Sequence, residues 1–358
     1  MVDSRCLIRV ARRAPSSISA SRSAPCHCSP SPQVARTALL VALVTTGALA
    51  QNGDPQRGVK LFEERNYPAA RAEFSAVLGR DARDANALFY MGRIALVEDR
   101  PAEAIDWLER AVKANDRSSE YHLWLANALG EEAQRASKLR QPFLARRVKS
   151  EFERAVALEP HSVAARRGLM DFYMIAPAVM GGSKERAREQ AAEIKKISPL
   201  QGRFAAASIA QREKNTDAAQ REYVAAVTEN PDSVIAHLAL SVFYQNHERW
   251  DDAFGVLDRL LAAKPNEIRA HYQIGRAAAL SGKQLERGER SLKLWIASPP
   301  EDALAATRSA AHYRLGMVYE KQGKRDLART AYEEAIRINS RNEDARNALA
   351  KVKAGPGD

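Results

Sequence analysis

The feature that most restricts this chain is a pattern of small and aromatic residues that returns at intervals of 34 residues or a few more. It is plainest near the end, in Ala311-His312-Tyr313-Arg314-Leu315-Gly316-Met317-Val318-Tyr319, followed by Gly323, Ala328, Tyr332 and Ala335 and closing near Ser340. Offsets of three and four return to one side of a helix, so His312, Gly316 and Tyr319 share one face and Ala328, Tyr332 and Ala335 another. Each repeat is then two helices joined by a turn. A pair of that size cannot shield its own apolar face and has to lean on its neighbours in the row. The expected fold class is all-α, an α-solenoid of stacked helical pairs with a concave and a convex surface.

The unit resembles the tetratricopeptide repeat, a helix-turn-helix of 34 residues with a large residue at position 4, Leu-Gly at 7 and 8, an aromatic at 11, Ala at 20, an aromatic at 24, Ala at 27 and Pro near 32. Sliding that template along the chain puts position 8 at Gly58, Gly92, Ala126, Met170, Ala207, Ser241, Gly275 and Gly316. Position 20 falls at Ala70, Ala104, Val148, Ala187, Ala219, Ala253, Gly288 and Ala328, and the closing proline at Pro160, Pro199, Pro231, Pro265 and Pro300. The resemblance therefore implies a right-handed superhelix of about eight units over residues 51–342, followed by a capping helix and tail over 343–358. Small residues at 8 and 20 let the two backbones approach, and Phe74, Phe152, Tyr223 and Tyr332 at position 24 are expected to fill the space between units.

Two units depart from the template. The third is about ten residues too long, within 130–147; both of its helices are expected to extend, with Pro142 opening the second and Leu144, Val148 and Phe152 continuing its apolar stripe. Lys138, Arg140, Arg146 and Arg147 at the protruding end form a candidate basic docking knob, the alternative being a solvated helix face. In the fourth unit an insertion around 175–183 is marked by Pro177 and Gly181-Gly182, with Ser183 as cap of the next helix. Its Ile175, Val179 and Met180 are expected to pack beneath the loop or to line a widened groove. The two interrupted units together resemble exported bacterial tetratricopeptide proteins of undefined function.

Residues 1–50 read as a cleavable targeting segment: six arginines and one acid, an apolar run from Thr37 to Leu49, and small residues that place cleavage after Ala50. A periplasmic or secreted protein is expected, with an N-terminal membrane anchor as the alternative and a true start near Val34 as a variant of the same reading. Without that segment Lys and Arg number 49 against 43 Asp and Glu, so the net charge of +11 falls to about +6 with mixed signs. No nucleic-acid partner is expected from so diffuse a charge. Cys6, Cys26 and Cys28 all lie in the leader, which removes cysteine chemistry from the rest of the chain.

No phosphate-cradling loop, nucleophile elbow or zinc-protease helix is present in the sequence, and neither an enzyme nor a cofactor is expected. His122, His237, His271 and His312 all occupy position 4, but helices in neighbouring units pack about 8–10 Å apart, too far for shared metal ligands, so these histidines read as packing residues. The resemblance implies instead that work is done by binding, on the face of the first helices. Position 5 gives Phe89, Leu123, Arg167, Phe204, Leu238, Tyr272 and Tyr313, and position 9 adds Arg93, Asn127 and Arg276 as polar handles. A protein or peptide partner in that groove is the expected function; a membrane-surface or envelope-polymer tether using the basic knob is the alternative.

Overall fold

The computed structural model describes residues 53–300 and 303–354; the targeting segment, its three cysteines and the last four residues lie outside the described residues. Among the described residues there are helices and connecting turns, with no strand. They pair in chain order: α1 Pro55–Glu63 with α2 Tyr67–Arg80, α3 Ala85–Val97 with α4 Pro101–Ala114, α5 Ser119–Arg135 with α6 Gln141–Leu158, and α7 Val163–Ile175 with α8 Lys184–Ile197. The second half repeats this with α9 Pro199–Arg212 and α10 Thr216–Glu229, α11 Val234–Asn246 and α12 Trp250–Ala263, α13 Ile268–Ser281 and α14 Leu285–Ala297, then α15 Ala305–Lys321 and α16 Arg325–Ile338. A last helix, α17 Glu343–Ala354, covers α16. This is the all-α solenoid of eight helical pairs.

Local chemistry sets the boundaries. Asp54, Asn66, Asp84, Ser118, Ser162, Ser183, Ser198, Asn215 and Ser233 each accept a backbone N–H from the first turn of the helix they precede, satisfying a donor that the helix itself leaves unpaired. Pro142 opens α6 as expected. Pro199 behaves differently from the other closing prolines: it is the first residue of α9, so one residue, Ser198, ends α8 and caps α9. The link that other units build from several residues is lost there.

The turn between the helices of a regular pair is tight and needs one left-handed residue. Arg65 (φ 63°), Asp99 (63°), Lys214 (59°) and Glu248 (57°) occupy it, and Gly323 (75°) does so in the last unit. All five stand seven residues after position 8. Only the glycine adopts this conformation without crowding its own Cβ.

The hairpins close through a small residue meeting a large one. A Cβ on Gly316 would stand 2.4 Å from the Tyr332 ring, one on Gly58 2.7 Å from Phe74, one on Gly92 2.5 Å from Leu108, and one on Gly275 2.2 Å from Leu292. The position 24 side chain is thus seated against position 8 of its own pair and also reaches the next unit: Phe74 stacks on Tyr90 with ring centroids 5.0 Å apart, and Tyr223 meets Phe243 at 5.2 Å. Filling the space between units is only half of its role. Alanines at position 20, from Ala70 to Ala328, are wholly buried. In the fourth unit buried Met170 occupies position 8, and its glycine, Gly168, faces the preceding unit instead, where a Cβ would lie 2.2 Å from Phe152.

The position 4 histidines are each held within their own pair. His122 is buried with Nδ1 2.5 Å from Glu151 and Nε2 3.1 Å from the Asp116 carbonyl; His237 Nδ1 lies 3.0 Å from the Ser233 carbonyl; His271 Nδ1 lies 3.3 Å from the Ser291 hydroxyl. Burial, aided by Arg287 beside His271 and Arg337 near His312, pushes the pKa of both imidazoles below the usual histidine value. Between units seven and eight, Glu289 accepts from Lys293 at 2.6 Å and Lys324 at 2.8 Å, which holds its carboxyl at about 2.

Three outcomes follow from this packing. Gly316→Leu forces atoms into the Tyr332 ring and is expected to lower stability by about 1–3 kcal/mol, read as a lower melting temperature; no loss would contradict the seating. Glu248→Gly relieves left-handed strain at an exposed turn and is expected to raise stability by about 0.5–1 kcal/mol in the same assay. The third concerns pH. Because His271 and His312 have lowered folded values, the unfolded chain takes up more protons once pH falls below the ordinary histidine value of about 6.5, so stability declines from there downward. Glu289, depressed to about 2, adds a second loss below the ordinary carboxylate value of about 4.3. Thermal melts across pH should show both steps, and a His271→Gln, His312→Gln variant should flatten the first.

Candidate functional site

First helices touch the first helix of the next unit along most of the row, α1 on α3, α3 on α5, α5 on α7, α7 on α9, α11 on α13 and α13 on α15, whereas no second helix makes a comparable contact with the second helix after it among the described residues. The row of pairs is therefore drawn together on the side of α1, α3, α5, α7, α9, α11, α13 and α15. The residues expected to bind a partner belong to this side.

Two of them do not present themselves. Phe89 is only 2% exposed and Phe204 only 8%, so both are core side chains and not groove anchors. Phe89 is covered because the next unit brings Tyr121 into a stack at 4.8 Å, and Phe204 lies 6.3 Å from the Tyr223 ring of its own pair. Leu123, Leu238, Tyr272 and Tyr313 are half-buried, each with one side against the core and one side open. Val242 and Met317, one turn further along their helices, share that state.

The polar handles differ among themselves. The Arg93 guanidinium lies between the rings of Phe62 and Trp124, 4.5 Å from each, with Phe89 and Tyr90 at 5.5 and 5.4 Å. That clamp spans three units and fixes the cation in place. Arg276 donates to Gln245 at 2.8 Å and Asn246 at 3.0 Å, tying α13 to α11. Asn127 is half-buried, and its amide makes no side-chain hydrogen bond among the described residues.

A charged group between these stretches was passed over in reading the sequence. Asp171 on α7 lies 3.5 Å from Arg212 of α9, with Arg167 one turn before it on α7. Burial raises the Asp171 carboxyl above the usual value, against the pull of Arg212 and Arg167. The signal was present, since Arg167 is the one charged residue in the position 5 series. The face thus offers apolar ledges at units three and six to eight with a cationic centre at units four and five.

The basic knob is partly neutralised. Arg147 pairs with Glu109, Arg140 lies 3.8 Å from Glu132, and only Lys138 and Arg146 of the four form no ion pair among the described residues. Beside them stand two residues that sequence reading missed, Leu139 at 93% exposure and Phe143 at 64%. Phe143 precedes Leu144 of the buried stripe by one residue, which turns it about 100° away on a helix. Ile175 and Val179 are also a correction: at 63% and 92% exposed they do not pack beneath the loop, while Met180 of the same segment does pack on the core.

No group of three or more His, Cys, Asp or Glu converges as a metal site, and no helix is long and apolar enough to cross a membrane, among the described residues.

Three profiles, each of the tetratricopeptide repeat, match residues 56–120, 210–277 and 309–342. No curated protein matches in sequence. Solved structures are similar over part of the chain. The thermophilic TPR protein TTC0263 of Thermus thermophilus is 19% identical, covering 54% of this chain and 98% of its own, with a TM-score of 0.44. A tetratricopeptide repeat protein from Parabacteroides merdae is 12% identical, covering 75% and 98%, with a TM-score of 0.45. YrrB, described as a TPR protein with an unusual peptide-binding site, is 22% identical over 51% and 87%, with a TM-score of 0.37. With helical pairs whose position 24 side chain seats on position 8, the three profile matches identify this chain as one that carries tetratricopeptide repeats.

Proposed function

We propose that the protein is an interaction scaffold that takes a peptide or helix of a partner protein along the side formed by its first helices. One observation carries this reading: Leu123 and, in three consecutive first helices, Leu238, Tyr272 and Tyr313 hold the same repeat position, each half-open, with the Asn127 amide one turn from Leu123 and the Arg276 guanidinium one turn from Tyr272. Rigid side chains that are already half-packed lose little freedom on binding, so they suit the role of anchors. Asn127 is the handle with its hydrogen-bonding capacity in hand, whereas Arg93 and Arg276 chiefly shape the surface because rings or amides of neighbouring units hold them. Arg167 and Arg212 give the centre of the face a preference for an acidic or carboxylate-bearing segment.

Site-specific photo-crosslinking in the native compartment tests the reading without removing any packing side chain. A photoreactive phenylalanine at Tyr272 or Tyr313 is expected to capture one discrete partner, and the same group at Arg221, on the exposed side of α10, is expected to capture at least about tenfold less. Equal or greater capture at Arg221 would reject the first-helix face.

A further inference from the structure

The four most exposed large apolar side chains among the described residues are Leu139, Phe143, Ile175 and Val179, and the next reaches only 48%. Leu139 and Val179 lie in the two inserted turns and Phe143 and Ile175 in the helix ends beside them, in consecutive units and at the same end of their helical pairs. The second insert reaches the second helix of the third unit: the 3-10 turn Ala178–Met180 packs on α6, and a Cβ on Gly181 would lie 3.4 Å from Lys149 Cδ. In regular units the same turn is short and polar, Glu64-Arg65-Asn66 and Glu213-Lys214-Asn215 for example.

Charge accompanies these side chains. Segments 137–149 and 174–184 contain six Lys and Arg and no Asp or Glu. Lys138 and Arg146 form no ion pair among the described residues and flank Leu139 and Phe143 in sequence.

We propose that this edge docks on an anionic lipid bilayer surface, with Leu139, Phe143, Ile175 and Val179 entering the interface and Lys138, Arg140 and Arg146 meeting the headgroups. Side chains standing almost free of their neighbours at turn tips find complementary surroundings in a bilayer, which yields around each of them, more readily than on another protein's fixed relief. Carboxylates outside the two segments pair with Arg140, Arg147 and Lys149, which leaves Lys138 and Arg146 as the cations that match phosphate headgroups most directly, and the attraction fades with salt. The edge lies apart from the half-open first-helix residues, so docking there and capture of a partner are compatible and fail separately.

The test is flotation of the full chain with phosphatidylglycerol–phosphatidylcholine vesicles and with phosphatidylcholine alone. A Leu139→Ser, Phe143→Ser, Ile175→Ser, Val179→Ser variant leaves every core residue in place and is expected to melt close to the parent while its partition falls at least about tenfold. A Lys138→Gln, Arg146→Gln variant should lose on the order of twentyfold on the anionic vesicles at low salt. Val179→Trp should be quenched by brominated lipid. Unchanged partition of the serine variant would assign vesicle binding elsewhere in the chain and overturn the proposal, as would equal binding to neutral and anionic vesicles. So would loss of a protein partner by the serine variant with vesicle binding unmoved.

Discussion

Everything in this solenoid depends on close approach inside each hairpin, where a position with no side chain, or a very small one, receives a large side chain from the second helix. Gly316 under Tyr332, Gly92 under Leu108 and Gly275 under Leu292 are three instances. The seated side chain cannot be covered by its own pair alone, so it reaches the next unit, and this is what couples neighbours. Ion pairs run the same way, Arg71 to Glu98 and Glu103, Arg188 to Glu213, Lys324 to Glu289. Exposed pairs contribute about 0–1 kcal/mol each, whereas burying one large apolar side chain contributes about 1.5–3. The charges select register; the rings supply cohesion.

The periodicity made the helices, their pairing and most of the core legible, because offsets of three and four are fixed by helix geometry. It did not make depth legible. Phe89 and Tyr272 hold the same position in their repeats, yet Phe89 is buried because the following unit supplies Tyr121, while Tyr272 meets Trp295 of its own pair and keeps one side open. A template assigns a face; the neighbour's side chain decides what remains of it. Met170 illustrates a related limit, since a large residue stands at the nominal close-approach position while the glycine two residues before it, Gly168, approaches Phe152 of the preceding unit.

The same distinction separates the polar handles. Arg93 and Arg276 looked equivalent by position, but four rings surround the first and two amides hold the second. A side chain that joins units together has spent its directed valences on the scaffold. Asp171 with Arg212, by contrast, was inconspicuous as a pair 41 residues apart, and only the stacking of α7 on α9 brings the two together.

The inserted turns show what the repeat does not require. Lengthening a turn by several residues costs little once the helices beside it are held, since loop closure grows only slowly with length. Stability therefore constrains an insert at its feet, where Leu144 and Met180 are drawn into the core, and hardly at all at its tip. Apolar side chains at the tip contribute nothing to the fold and leave hydrocarbon in water, an arrangement opposed to the polar turns of the regular units. Their concentration in two inserts joined through α6, beside Lys138 and Arg146, has no packing explanation within the chain. It has one at an interface, and the scaffold's rigidity would then carry that attachment along the row to the side where a partner is held.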